Sequence, residues 1–151
     1  MKSPLSVAVR RATVEDAEAI AGLSGELGYP ATVEQSQARL RAILGADDHV
    51  VLVACDDGDV VAWVHAFVAL RVEYEPFIEI SGFVVAEPLR GRGVGKRLLA
   101  AVEAWVLERG ITQLRVRSRS DRAAARAFYA GLGFVRTKEQ NVFDKQVKSG
   151  S

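Results

Sequence analysis

The chain has 151 residues, and 49% of them are apolar, a length and composition that suit one domain with one sizeable core. Its lone cysteine, Cys55, excludes an internal disulfide, and no apolar run reaches the ~18 residues of a membrane span. The N-terminus turns polar too early for a secretory signal, so a soluble cytoplasmic protein is expected. Net charge is +1 but unevenly spread: residues 1–86 hold six Lys/Arg against thirteen Asp/Glu, and residues 87–151 hold fourteen against six. Two partners of opposite charge follow from that asymmetry.

"SVAVRRA" reads as a first strand, and Thr13 with Asp16 as a capping box opening a helix that Gly28-Tyr29-Pro30 ends. Thr32 and Gln35 repeat the pattern for a second helix, with Val33, Leu40, Ile43 and Leu44 on its buried stripe before Gly45. "HVVLVAC" and "VVAWVHAFVAL" are Val-rich strands joined by Asp56-Asp57-Gly58-Asp59, a hairpin turn. "FIEISGFVVA" is the next strand and runs into a glycine-rich loop, Arg90-Gly91-Arg92-Gly93-Val94-Gly95.

After the loop, Val94, Leu98, Ala101, Val102 and Trp105 recur at helical spacing until Gly110. "TQLRVRS" is a strand, and "SDRAAARAFYAGLG" is an Ala-rich helix that Ser120 or Asp121 would cap and Gly131 would end. "FVRTK" and "NVFDKQV" read as two closing strands. The order implies an α/β (α+β) fold: a mixed sheet of about seven strands flanked by about four helices. Residues 1–147 are expected to form a single domain and 148–151 a flexible tail.

The glycine loop carries the strongest chemical signal. A helix start leaves N–H groups unpaired that Ser, Thr, Asp or Asn usually serve, and none of these occurs between Glu87 and Lys96. Glycines that let backbone approach closely, the positive end of a helix dipole, and Arg90, Arg92, Lys96 and Arg97 together favour an anion such as a cofactor phosphate. The loop is a poor nucleotide P-loop, because Arg90 stands at the first glycine position and Arg97 where Ser or Thr should hold Mg²⁺. A dinucleotide fingerprint fails as well, since Lys96 replaces its third glycine and three strands come first.

Arg90-x-x-Gly93-x-Gly95, between an apolar strand and a long amphipathic helix, resembles the acyl-CoA pyrophosphate loop of the GNAT superfamily of N-acyltransferases. "AAARAFYAGLGF" resembles that superfamily's second signature, and "RRATVEDAEAIAGLSGELGYP" its start, so the likeness spans nearly the whole chain. It implies a mostly antiparallel sheet splayed between strands 4 and 5, with the pantetheine arm of acetyl-CoA held there by the main chain of Phe83, Val84 and Val85. It also implies pyrophosphate on Arg90, Gly91, Arg92, Gly93, Val94, Gly95 and Lys96, and further cofactor contacts from Arg119, Arg122, Ala125 and Phe128. Arg119 departs from the family, which often carries Asn there.

The implied activity is direct acetyl transfer from acetyl-CoA to a primary amine, with Tyr129 matching the tyrosine that faces the cofactor sulfur. Phenol at pKa ~10 and thiol at ~8.5 make full proton transfer uphill by ~2 kcal/mol, so hydrogen-bond donation or late transfer is expected. Packing beside Phe128 and Phe134 is the competing reading of Tyr129. A lysine-like amine is about one part per thousand neutral at pH 7, so a proton acceptor is needed. Glu79 leads, on the face opposite Ile78 and Ile80 and shared with Ser81; a solvated strand carboxylate is its rival reading. His65 has a suitable intrinsic pKa, although a satisfied core histidine is its ordinary meaning.

Glu73 and Glu75 suit a small cationic amine, or are simply solvated loop charges. Two histidines and one cysteine argue against a metal, and the strand-like "RVRSR" in a near-neutral chain argues against nucleic acid. Neither nucleic acid nor membrane is expected as a partner, and family habit admits a homodimer. A protein lysine or N-terminal acetyltransferase, or a non-catalytic acyl-CoA-binding module, would share the same cofactor motifs.

Overall fold

The structure, a computed structural model, describes residues 5–118 and 123–150. Its elements in order are β1 (Val7–Arg11), α1 (Ala17–Glu26), α2 (Val33–Leu44), β2 (His49–Asp56), β3 (Asp59–Ala69), β4 (Phe77–Val85), α3 (Val94–Glu108), β5 (Leu114–Val116) and α4 (Ala123–Gly131). They fall into two compact units, Met1–Arg117 and Ser118–Ser151.

The first unit is built on one five-stranded sheet in chain order, antiparallel except for the parallel β4–β5 pair. Val50 to Cys55 of β2 are all buried, as expected of a central strand covered on both faces. Val51, Val53 and Cys55 pack with Ala17 and Ile20 of α1 and Leu40 of α2, and Trp63 and Ile43 lie against that cluster. Residues of opposite parity, Val50, Leu52, Ala54, Val64 and Ile80, are buried on the other face, and α3, which contacts β1 to β4, buries Val94, Leu98, Val102 and Trp105. Each fully buried Val or Leu is worth roughly 1.5–3 kcal/mol over its exposed state.

The local devices behave as the sequence indicates. Thr32 and Gln35 close a complete capping box at α2, each backbone N–H bonding the other's side chain at 3.0 Å. At α1 the return half forms: the Asp16 carboxylate accepts the Thr13 N–H at 2.8 Å, and it also takes two bonds from the Arg10 guanidinium, both 2.8 Å. Asp57 and Gly58 take positive φ, 51° and 88°, at the β2–β3 turn.

Two irregularities were not foreseen and decide which residues share a face. The β2–β3 register shifts at Ala54/Cys55, where Cys55 opposes Val60 but Ala54 opposes Ala62 and Val61 is the extra residue. In the β3–β4 pair His65 opposes Gly82 while Ala66 opposes Ile80, leaving Ser81 as the extra residue.

In the second unit α4 ends at Gly131, as the sequence indicates. Phe134 N–H bonds Tyr129 C=O, and Gly133 N–H, with Gly133 at φ 93°, bonds Ala130 C=O, a Schellman closure just past the helix end. The two closing strands expected from "FVRTK" and "NVFDKQV" do not form among the described residues, so the sheet has five strands instead of about seven. Val135, Val142, Phe143 and Val147 are 82%, 83%, 89% and 79% exposed. Alternation alone does not make a strand when no partner ladder or covered face rewards the extended backbone. The capping residues proposed for α4, Ser120 and Asp121, lie outside the described residues.

Candidate acyl-transfer site

β5 reaches only Ile78, Glu79 and Ile80 of β4, which pair with Leu114, Arg115 and Val116. Ser81 to Val85 continue past the last rung of that ladder among the described residues, at the place where the sequence resemblance implies that the strands part. Phe83, Val84 and Val85 form this stretch and are 8%, 5% and 6% exposed. The Val85 carbonyl accepts Arg90 Nε at 3.1 Å, so the Arg90 side chain ties the loop back to the strand end.

The loop then turns through Gly91 and Gly93 at φ 78° and 86°, the left-handed region that costs other residues roughly 1–2 kcal/mol. Gly93 is the residue preceding α3, and no side chain caps the helix among the described residues. A Cβ at either glycine would meet nothing within 4 Å. Gly91, Arg92, Gly93 and Lys96 are exposed, whereas Val94 and Gly95 are buried. An uncapped 15-residue helix, preceded by two glycines at which a ligand can approach the backbone closely, fits a pyrophosphate accepted by first-turn N–H groups. Arg119 and Arg122, also expected at the cofactor, lie outside the described residues.

The face of β4 toward α1 and α2 carries a polar row. Glu79 opposes Phe67 on β3 and Arg115 on β5, and its Oε1 accepts Arg117 Nε at 3.1 Å. The Arg115 guanidinium lies over the Phe77 ring, 4.3 Å from its centroid. Ser81 Oγ is 3.0 Å from His65 Nδ1, and His65 Nε2 is 2.9 Å from His49 Nδ1. Burial, and then the His49 charge, pushes the His65 imidazole down from 6.5 to about 4, so it is neutral at pH 7. The sequence reading singled out Glu79 and His65 separately and missed the His49–His65–Ser81 chain, whose signal lies in two strand registers rather than in any motif.

In the second unit Tyr129 makes edge contacts with Phe128 and Phe134, at 5.2 and 5.8 Å between centroids. Burial raises its phenol above 10, which keeps it a hydrogen-bond donor at neutral pH. Ala125, Phe128 and Tyr129 are the half-buried residues of α4.

Residues 17–134 match the acetyltransferase (GNAT) family. The chain is 32% identical over 136 residues to the aminoglycoside N(6′)-acetyltransferase type 1 of Stenotrophomonas maltophilia, covering 86% of this chain and 87% of that one. It superposes on the aminoglycoside antibiotic 6′-N-acetyltransferase of Acinetobacter haemolyticus with TM-score 0.83 at 19% identity, over 93% of this chain and 99% of that one. Another similar structure is AAC(6′)-Iy in complex with the bisubstrate analogue CoA-S-monomethyl-acetylneamine, with TM-score 0.82 and 23% identity over 94% and 99% of the two chains. The uncapped glycine loop, the three-rung β4–β5 ladder and a family match running through both units agree: the chain belongs to the acetyltransferase (GNAT) family and is an acetyl-CoA-dependent N-acetyltransferase.

Proposed function

We propose that this enzyme moves the acetyl group of acetyl-CoA directly onto a primary amine of an aminoglycoside, with residues 1–147 acting as one acyltransferase domain. The observation that carries the acceptor class is the 32% identity, over 86% of the chain, to an aminoglycoside N(6′)-acetyltransferase. The acidic first half of the chain supports it, with Glu73 and Glu75 in the exposed β3–β4 loop as charges that would draw in a polycation. Tyr74 in the same loop, 52% exposed, offers a ring for the sugar faces or ammonium groups of such a substrate.

Acetyl-CoA supplies an activated thioester carbonyl, and the chain's own groups do the rest. The N–H groups of Gly91 to Lys96 would take the pyrophosphate, and the main chain of Phe83 to Val85 the arm and the acyl oxygen, whose developing charge needs donors already in place. Glu79, held by Arg117, would meet the ammonium of the acceptor and orient it. Tyr129 would give a hydrogen bond, and late in the step its proton, to the leaving thiolate.

The test is release of free CoA thiol with a panel of acceptors: aminoglycosides bearing a 6′-amine, analogues with a 6′-hydroxyl, a polyamine and a lysine peptide. Release with the 6′-amines alone is expected. Release with the peptide but not the aminoglycosides would make the enzyme a protein acetyltransferase. Binding of acetyl-CoA without release on any amine would make it a non-catalytic acyl-CoA module.

A further inference from the structure

We propose that Ser81, His65 and His49 form a proton relay that carries the acceptor amine's proton away from the parting of β4 and β5 to the far side of the sheet face. The proposal rests on the placement of the acyl carbonyl beside Phe83 to Val85 made above. Three observations support it. Ser81 is exposed, is the bulged residue of β4, and comes immediately after Ile80, the last residue that β5 pairs. Its hydroxyl therefore stands at the mouth of the opening that the arm would enter. From it the contacts are continuous: 3.0 Å to His65 Nδ1 and 2.9 Å from His65 Nε2 to His49 Nδ1. The outer nitrogen, His49 Nε2, lies 3.9 Å from Asp48 Oδ1, and the His49 side chain keeps 28% of its surface exposed.

The His49 and His65 rings meet edge to edge, 5.1 Å apart between centroids, and His49 lies against Phe67 at 5.3 Å between centroids. His65 is faced from β2 by His49, with Asp48 behind it, and from β4 by Ser81 and by Glu79, itself paired with Arg117. The α1 residues buried toward the sheet, Ala17, Ile20, Ala21 and Leu23, carry no charge. A neutral imidazole there passes protons without storing one, whereas Glu79 is committed to the Arg117 guanidinium.

The step balances. As the ammonium proton reaches Ser81 Oγ, the Ser81 hydroxyl proton passes to His65 Nδ1. The His65 Nε2 proton then passes to His49 Nδ1, and the His49 Nε2 proton leaves to Asp48 or solvent. The amine is left neutral for attack and no charge stays on the relay. Ser81 touches the amine; His65 and His49 act through it as positioning residues.

The experiment compares wild type with Ser81→Ala, Ser81→Thr, His65→Gln and His49→Gln. Acetyl-CoA affinity is measured by calorimetry, and kcat/KM for a 6′-amine aminoglycoside from pH 6 to 9.5. The expected result is a loss of about tenfold or more at neutral pH for Ser81→Ala and both Gln variants. That loss should shrink as pH rises and the amine deprotonates unaided. Ser81→Thr, which keeps the hydroxyl, should retain most activity, and acetyl-CoA affinity should stay within about twofold throughout. A loss equal at every pH, or no loss, overturns the relay. If the wild type binds acetyl-CoA but acetylates no aminoglycoside, the acceptor reading fails and the relay is decided by nitrogen-15 NMR of the imidazoles. A neutral His65 with its proton on Nε2 at pH 7 is then expected, and a His65 that titrates near its ordinary value or carries its proton on Nδ1 overturns it.

Discussion

Trp63 lies against the backbone of Gly82 so closely that a Cβ on Gly82 would sit 2.5 Å from Trp63 Cη2 and 2.7 Å from Cζ3. No other residue type fits there without moving a rigid indole that also packs on the α1–α2 cluster and buries its Nε1, which has no hydrogen-bond partner among the described residues. Gly82→Ala should destabilise the protein by about 1–3 kcal/mol through overpacking, and should shift the tryptophan emission. Combining it with Trp63→Phe, whose shorter ring clears the site, should recover part of the loss. An unchanged urea midpoint and emission in the single variant would show that the ring yields freely.

The glycine loop makes a sharper prediction about binding. Gly93 holds φ 86° with open space around its missing side chain, so a carboxylate added there would project toward the anion the helix start is expected to accept. Gly93→Glu should lose acetyl-CoA affinity by at least about tenfold, more than Gly93→Asn, since Asn tolerates the left-handed backbone and adds no charge. Calorimetry with circular dichroism as a folding control checks this. Equal affinities in Gly93→Glu and wild type would remove the pyrophosphate from this loop.

For Tyr129 the expected signature is a split between turnover and binding. Tyr129→Phe keeps the ring that contacts Phe128 and Phe134 and deletes only the hydroxyl. Turnover should fall about 10- to 100-fold while acetyl-CoA affinity changes less than about twofold. Because burial raises the phenol pKa, no loss of wild-type rate between pH 7 and 9 should trace to ionisation of Tyr129. Comparing kcat and affinity of the two proteins decides it, and equal turnover would leave Tyr129 a packing residue.

Much of the fold was legible because local chemistry and tertiary need agree. The α2 capping box, the Asp57-Gly58 turn and the helical stripe from Val94 to Trp105 each satisfy backbone or burial where they stand. The histidine pair was not legible, for a definable reason. A two-residue turn without a bulge would set His49 opposite Ala66 and put it on the other face from His65. The extra residue at Val61 moves His49 opposite Phe67 and brings both rings to one face. A second extra residue, Ser81, keeps Glu79 on that face together with Gly82, although the two are three apart. Bulges depend on how neighbouring strands pack, and a single strand's pattern does not report them. The closing strands failed in the opposite direction: "NVFDKQV" has the composition of a strand, but its apolar side chains remain exposed.

A last prediction concerns stability at the edge of the sheet, where Asp16 is 6% exposed and accepts two bonds from Arg10 and one from the Thr13 N–H. The Arg10 hydrogen bonds hold the carboxyl below its ordinary value against the opposing effect of burial. Since the folded pKa is the lower one, the contribution is complete above the unfolded carboxylate pKa of ~3.9 and is lost as pH falls through the folded value. Arg10 is 47% exposed, so solvent screens the pair and hydrogen bonding supplies most of its worth. Asp16→Asn should therefore cost about 1–3 kcal/mol at pH 7. The gap from wild type should narrow as pH falls from ~3.9 through the lower folded value, below which the wild-type carboxyl is neutral too. Urea unfolding of both proteins at neutral and acidic pH reads this directly, and a gap that stays constant with pH would mean that Asp16 acts through shape alone.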